Sequence, residues 1–400
     1  MMQDGWRGKE LRHRIGFPVL VLVLLMTTGC WDRVEVNDMA LIISAGVDMK
    51  DEDEIEMTVQ VFIPNPASAS NEGNGGGQGN VYTMSSVGKS MADALSELQK
   101  KLPRFFSWGH AKAFFFGEEL AREGLSDEFD FLFRDIQTRE QSNFFICKGT
   151  ARQLLESQVD PNTYETLIKL SQKPVNHSST MHEVEELLGA ESQSFLLPVV
   201  APATLITNKA KKQILTVEGM SVIQKQKLKG FLSPEDIMGV RLLRPKDLGR
   251  NITMTQKLDG GNIVIKIMHT KIRLYPSIEN GVWKMRVKLT LDGNVIQNSS
   301  TINIAKGNDA MRRIEEPFNQ AMKEIMLHTL HRLQTEQKAD VVGFARAFHK
   351  KYPLLWRDKK GEWTSIFQSM EIQVEVDSTI QGPGVANIPV YQRRGEVSDE

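Results

Sequence analysis

The sequence is 400 residues long, with 49 Lys and Arg against 50 Asp and Glu, a formal net charge of −1, and two cysteines. Near-neutrality argues against a nucleic-acid or general polyanion binder. The cysteine count leaves no room for a disulfide framework or a cysteine-built zinc site, and the length suits two or three domains that each bury a core.

Arg7, Lys9, Arg12 and Arg14 open the chain, followed by an unbroken apolar run of ten residues from Phe17 to Met26. A charged start, a short apolar core and small residues before a boundary make a secretory signal, whereas spanning a bilayer takes about 20 apolar residues. Thr28-Gly29-Cys30 then resembles a lipobox, with Thr27 standing where such a motif ordinarily carries Leu. Residues 1–29 are therefore expected to be a lipoprotein signal peptide, cut between Gly29 and Cys30. The Cys30 thiol would become the lipid anchor. Two acyl chains hold durably, because each buried methylene contributes about 0.8 kcal/mol. The other reading is an ordinary cleaved signal followed by a chance cysteine. With Cys30 committed to lipid, Cys147 is left alone in Phe144-Phe145-Ile146-Cys147 and reads as a small buried hydrophobe on a strand.

In the mature chain, Ala40 to Val47 and Glu54 to Ile63 read as strands around the acidic turn Asp51-Glu52-Asp53. Met57, Val59 and Val61 alternate there with Thr58 and Gln60, the period of a half-buried strand. Residues 64–80, ending in Gly73-Asn74-Gly75-Gly76-Gly77-Gln78-Gly79-Asn80, read as a flexible loop. No Gly-Lys-Ser/Thr follows to make it a phosphate cradle. Ser90 to Leu102 carries Met91, Ala94, Leu95 and Leu98 at helical spacing and stops at Pro103. Then come a strand from Ala111 to Phe116, helices from Glu118 to Glu123 and Glu128 to Arg134, and a strand from Asn143 to Lys148. Helices from Thr150 to Glu156 and Asn162 to Lys173 complete an N-terminal α+β domain over 30–205.

Leu215 to Gly230 reads as a hairpin punctuated at Glu218-Gly219 and Lys229-Gly230. Lys225, Lys227 and Lys229 alternate along one face, protecting an edge strand rather than forming a basic ligand patch. Asn262 to Pro276, Val282 to Leu291 and Asn294 to Ala305 look like an antiparallel meander. Its turns are Asp259-Gly260-Gly261, Asn280-Gly281 and Asp292-Gly293-Asn294. An amphipathic helix follows with Phe318, Met322, Ile325, Met326, Leu330 and Leu333 on one face. Val341 to Lys351 continues as helix, and Met370 to Val376 is a final strand. Residues 206–385 thus form a C-terminal α+β region, either whole or as a small subdomain 206–250 before a larger domain 251–385, and 386–400 a flexible tail. The fold class expected is α+β, multi-domain, with mixed and antiparallel sheets packed with helices.

Chemistry is sparse. Glu324, His328 and His331 share a helix face, but no His-Glu-x-x-His occurs and the same stripe carries core residues, so a boundary helix is preferred to a metal site. There is no Gly-x-Ser-x-Gly elbow, and Cys147 lacks the basic surroundings of a reactive thiol. Glu183, Glu185 and Glu186 read as a solvated helical run. The aromatics of Leu102-Pro103-Arg104-Phe105-Phe106-Ser107-Trp108 suit a core or a partner contact, the core being preferred. No catalytic, cofactor or metal residue is assigned.

One resemblance is specific. Gly29-Cys30-Trp31-Asp32-Arg33 with Glu35, Asn37-Asp38 and Gly46-Val47-Asp48 is similar to the start of the Ger(x)C proteins, the lipoprotein C subunits of spore germination receptors. The likeness continues through His110-Ala111-Lys112, Gly117 to Gly124, Arg134-Asp135, Lys148 to Arg152, Glu218-Gly219 and Lys227 to Gly230. It ends with Gln337 to Phe344 and with Pro353, Trp356 and Trp363, while Arg241-Leu242-Leu243 lacks an expected tryptophan. The resemblance implies a non-enzymatic α+β subunit on the outer face of the spore inner membrane. Its partners would be membrane lipid through acylated Cys30 and two integral-membrane subunits, of the A and B types, in a nutrient-responsive receptor. The competing expectations are a solute-binding lipoprotein that captures the nutrient itself and an envelope hydrolase.

Overall fold

The computed structural model describes residues 38–63, 80–135, 139–157, 179–206, 211–244, 252–304 and 308–382. The expected signal peptide, Cys30, residues 64–79 of the glycine-rich loop, the helix from Asn162 to Lys173 and the tail 386–400 lie outside them.

The first strands are β1 (Met39–Asp51), β2 (Glu54–Ile63), β3 (Asn80–Gly88), β4 (Phe105–Ser107), β5 (Ala113–Gly117) and β6 (Asn143–Cys147). After them come β7 (Ser194–Ile206), β8 (Lys211–Gln224) and β9 (Lys227–Leu232). All nine join one mixed sheet in the order β3-β2-β1-β5-β6-β7-β8-β9, with β4 beside the start of β1. β1, β5, β6 and β7 are parallel, and antiparallel hairpins flank them on both sides. Phe114, Phe116 and Phe144 point to one face, where Phe116 meets Phe129 edge-on, Phe144 stacks on Phe129 and Phe114 meets Phe144 edge-on, while Phe115 stacks on Phe145 at the other. These buried strands read as near-continuous apolar runs because both faces are covered.

The helices are α1 (Met91–Gln99), α2 (Glu118–Glu123), α3 (Ser126–Arg134), α4 (Ala151–Glu156) and α5 (Met181–Leu188) in the first half. Ser90 and Thr150 cap α1 and α4 through their hydroxyls, as short polar side chains at helix starts do. In the second half β10 (Ile252–Leu258), β11 (Gly261–Glu279), β12 (Val282–Asn298) and β13 (Glu371–Gln381) form a four-stranded sheet in that order. The long α7 (Asn308–Arg332) packs against it, α6 (Pro234–Leu243) packs against α7 and the β8–β9 hairpin, and α8 (Phe344–Lys351), α9 (Pro353–Lys359) and α10 (Trp363–Ser369) follow. Phe318, Met322, Met326, Leu330 and Leu333 are the buried face of α7 and its extension, as their spacing predicts.

β7 and β8 pair along their length, so the first sheet runs on past position 206 to Leu232. Leu196, Met220, Val222 and Leu232 also enter the core of the second sheet, so the two halves share apolar contact. The β8–β9 turn is Lys225-Gln226, both left-handed (φ 47° and 63°), rather than Glu218-Gly219 or Lys229-Gly230. Lys227 and Lys229 do face solvent from the edge strand β9. Asp292-Gly293-Asn294 is no turn: β12 runs straight through it, and Gly293 sits opposite a bulge in β11 at Met268. Glycine is required there because a Cβ would press Ile265 at 2.9 Å. The turns at Asp259-Gly260 and Asn280-Gly281 form as read, with all four residues at positive φ.

Candidate functional site

In open sheets with parallel strands, ligands bind beyond the carboxyl ends of those strands. Here that position is filled by the chain itself. Asp48, near the end of β1, is buried, and its carboxylate accepts the N–H of Ala151 at 2.7 Å and of Arg152 at 2.8 Å. It therefore satisfies amides at the start of α4 that no intrahelical carbonyl can reach. Gly46 lies beneath the same helix, where a Cβ would meet Ala151 at 2.7 Å. At Gly117, the end of β5, a Cβ would run into the Asp48 carboxylate. Glu118 donates its N–H to the Gly149 carbonyl at 3.0 Å, and Gln60 donates to Leu155 at 2.8 Å. Burial outweighs the two amide bonds and raises the Asp48 carboxyl above its ordinary range. Burial, with the nearby Asp48 charge, also pushes the Cys147 thiol well up, so it is a core side chain and not a nucleophile.

A second buried carboxylate organises the other half. Asp340 accepts the N–H groups of Val342 (3.2 Å), Gly343 (2.9 Å), Phe344 (3.1 Å) and Ala345 (2.7 Å), closing the turn into α8. The preceding residues tie this turn to the first sheet. Gln224 donates to the Lys338 carbonyl at 3.0 Å, and a Cβ on Gly230 would meet Gln337 at 2.7 Å. At the surface between the α2 helix and the ends of β6, β8 and β9, Lys148 pairs with Glu218 at 3.3 Å and lies over the Phe231 ring with Arg122. The residues that carried the resemblance thus meet across long sequence separations. They act as internal clasps.

The other singled-out residues are placed as follows. Glu324, His328 and His331 all face solvent on α7, and among the described residues no group of three or more His, Cys, Asp or Glu has metal-holding geometry. Glu183, Glu185 and Glu186 are exposed on α5, where Glu183 completes a capping box with Thr180. The 102–108 segment divides: Trp108 is buried against Phe114 and Phe131, whereas Phe105 is 62% exposed. Among the described residues no helix is long and apolar enough to cross a membrane.

Glu128, which the sequence reading passed over, is buried in the first turn of α3, and burial lifts its carboxyl from 4.5 to about 6. A carboxyl raised on folding contributes stability that is present below its unfolded value and lost as pH rises through the folded one. Glu128→Gln is expected to flatten the stability profile between 4.5 and about 6. At neutral pH it should gain about 1–2 kcal/mol. Urea midpoints at mildly acidic and neutral pH measure this, and an unchanged pH slope would refute it.

Two family descriptions match the chain in tandem. Residues 32–202 match "Spore germination protein N-terminal domain", and residues 218–384 match "Spore germination B3/GerAC like, C-terminal". Three Bacillus subtilis (strain 168) proteins align over nearly their whole length. Spore germination protein YndF is 26% identical over 403 residues, covering 94% of this chain and 98% of that protein. Spore germination protein B3 is 23% identical over 375 residues (91% and 96%), and spore germination protein KC 22% over 398 residues (93% and 96%). The crystal structure of the GerBC protein superposes with a TM-score of 0.55 at 20% identity, over 84% of this chain and 96% of that one, a likeness of fold.

Proposed function

The chain belongs to the GerC-like family of spore germination proteins, and from that premise we propose that it is the lipid-tethered subunit of a nutrient-responsive germination receptor. It works by assembly with integral-membrane subunits of the A and B types and catalyses nothing. The observation that carries this reading is the use made of the shared motif residues. Asp48, Gly117, Asp340 and their partners are spent on internal clasps, with their reactive atoms buried and occupied by backbone amides. A hydrolase would keep such groups open to substrate.

The tether is Cys30, acylated after cleavage behind Gly29, on the outer face of the spore inner membrane. Confinement to the membrane plane raises the effective concentration of this subunit toward membrane-bound partners without any new contact. The Cys30→Ala variant is expected to leave the membrane fraction of spores and to slow nutrient-triggered germination by about tenfold or more. Fractionation and the germination rate read the two effects together. Full membrane retention with normal germination overturns the tether.

A further inference from the structure

Phe105 and Leu354, the two most exposed large apolar side chains among the described residues, both stand near one end of the first sheet. Because β1, β5, β6 and β7 are parallel, their starts share that end, and the Asp48 clasp closes the opposite one. At the start of β1, Phe105 pairs in register with Met39 and stands 62% exposed. The loop carrying it is held in shape by Gln99, which donates to the Arg104 carbonyl at 2.8 Å and accepts from Phe106 at 3.2 Å. Among the described residues no carboxylate pairs with the exposed Lys101, whose ammonium reaches the Ser85 carbonyl at 2.7 Å, while Arg104 is half-buried with its Nη1 turned inward.

A second tip rises near the start of β7. Glu191, three positions before Ser194, bonds His349 Nδ1 at 3.0 Å, and His349 stacks on Trp356. That pins the α8–α9 corner, where Leu354 is 73% exposed and Lys350 and Arg357 face solvent. The first tip combines Phe105 with Lys101, and the second combines Leu354 and Leu355 with Lys350 and with Arg357, which pairs with Asp358; exposed apolar side chains beside cations seat a surface at the headgroup boundary. Cys30 lies nine positions before Met39. That length of chain spans at most about 30 Å.

We propose that this end of the sheet rests on an anionic lipid surface, Phe105 and Leu354 entering the headgroup boundary and Lys101 and Lys350 meeting lipid phosphates. The inference rests on the lipid anchor at Cys30 proposed above. Single thiols placed by Phe105→Cys, Leu354→Cys and Lys50→Cys, in the full acylated chain reconstituted into phosphatidylcholine–phosphatidylglycerol vesicles, would carry a nitrobenzoxadiazole label. Cys147 is buried, and acylation blocks Cys30, so each label reports its own site. Lys50 is exposed near the far end of β1, 11 positions from Met39. In a strand that is roughly 35 Å.

Brominated lipid is expected to quench the labels at 105 and 354 about twofold and to leave the one at 50 nearly unchanged. Lys101→Glu, or vesicles of phosphatidylcholine alone, should weaken the quenching at 105 several-fold, roughly as expected for losing a cationic contact. A label at 105 or 354 that behaves like the one at 50 overturns the proposal, that end then facing water or protein. Failure of the anchor is read separately, as labelling of Cys30 in the chain without added thiols.

Discussion

Asp340→Ala is expected to destabilise the C-terminal half by about 4 kcal/mol. Each amide left unsatisfied in a buried site costs about 1–3 kcal/mol, and part of the sum relaxes when the turn opens. The wild-type carboxylate serves four amides, three through Oδ1 and the fourth, from Ala345, through Oδ2. Asp340→Asn keeps one acceptor oxygen but turns an amino group on one side of the site, so it should cost about half as much. Burial holds the Asp340 carboxyl above its ordinary 3.8 despite the four amides. The folded chain therefore binds that proton more readily than the unfolded chain, and the stability from this group declines as pH rises through the folded value. The gap between wild type and Asp340→Asn should accordingly narrow from acidic to neutral pH. Urea unfolding followed by tryptophan fluorescence is the measurement. Trp283, Trp356 and Trp363 pack together beside Phe348 and report this half directly. A midpoint for Asp340→Ala equal to that of wild type would show that the turn stands without its carboxylate.

The contrast between what the sequence revealed and what it hid follows the range of the interactions. Helix α2 ends at Gly124 as read, because the stop is a local property: φ is 149° there, which only glycine adopts freely. The Asn280-Gly281 turn is legible for the same reason. Gly293 misleads because its smallness answers to Ile265 and Ile380 on neighbouring strands, and nothing in the adjacent residues records them. Pro198 and Pro202 locally suggest a break, yet both lie within β7. That strand is paired along its length with β8 but meets β6 only at Val199 and Val200. Proline is tolerated in strands with such an open side. The clasps were invisible in the residues alone, since 103 positions separate Asp48 from Ala151. They were marked only by the family resemblance, whose motif residues turn out to touch one another. Their physical role, holding strand ends and helix starts, could not be told from a site role without coordinates.

The second large effect tests that role. Asp48→Ala strips two amides at the start of α4 of their acceptor and is expected to cost about 3 kcal/mol. Gly117→Ala should cost about 2–3 kcal/mol by overpacking, because its new methyl is driven into the Asp48 carboxylate and the carboxylate is held from both oxygens. The two effects share one cause, so they must not add. With Asp48 already replaced by Ala, the methyl at 117 has room, and Gly117→Ala should then cost about 1 kcal/mol or less. The coupling is read from urea midpoints of the wild type, both single variants and the double. Cys147 gives an independent local readout, because it is buried in the apolar cluster that holds Ala151 of α4, and that burial suppresses its thiol. Opening the clasp should expose it to a thiol reagent under native conditions in Asp48→Ala and leave it silent in the wild type. Strict additivity of the two substitutions, with Cys147 equally silent in all four chains, would mean that Asp48 and Gly117 stabilise the sheet end by separate contacts. The motif would then need another explanation than a clasp.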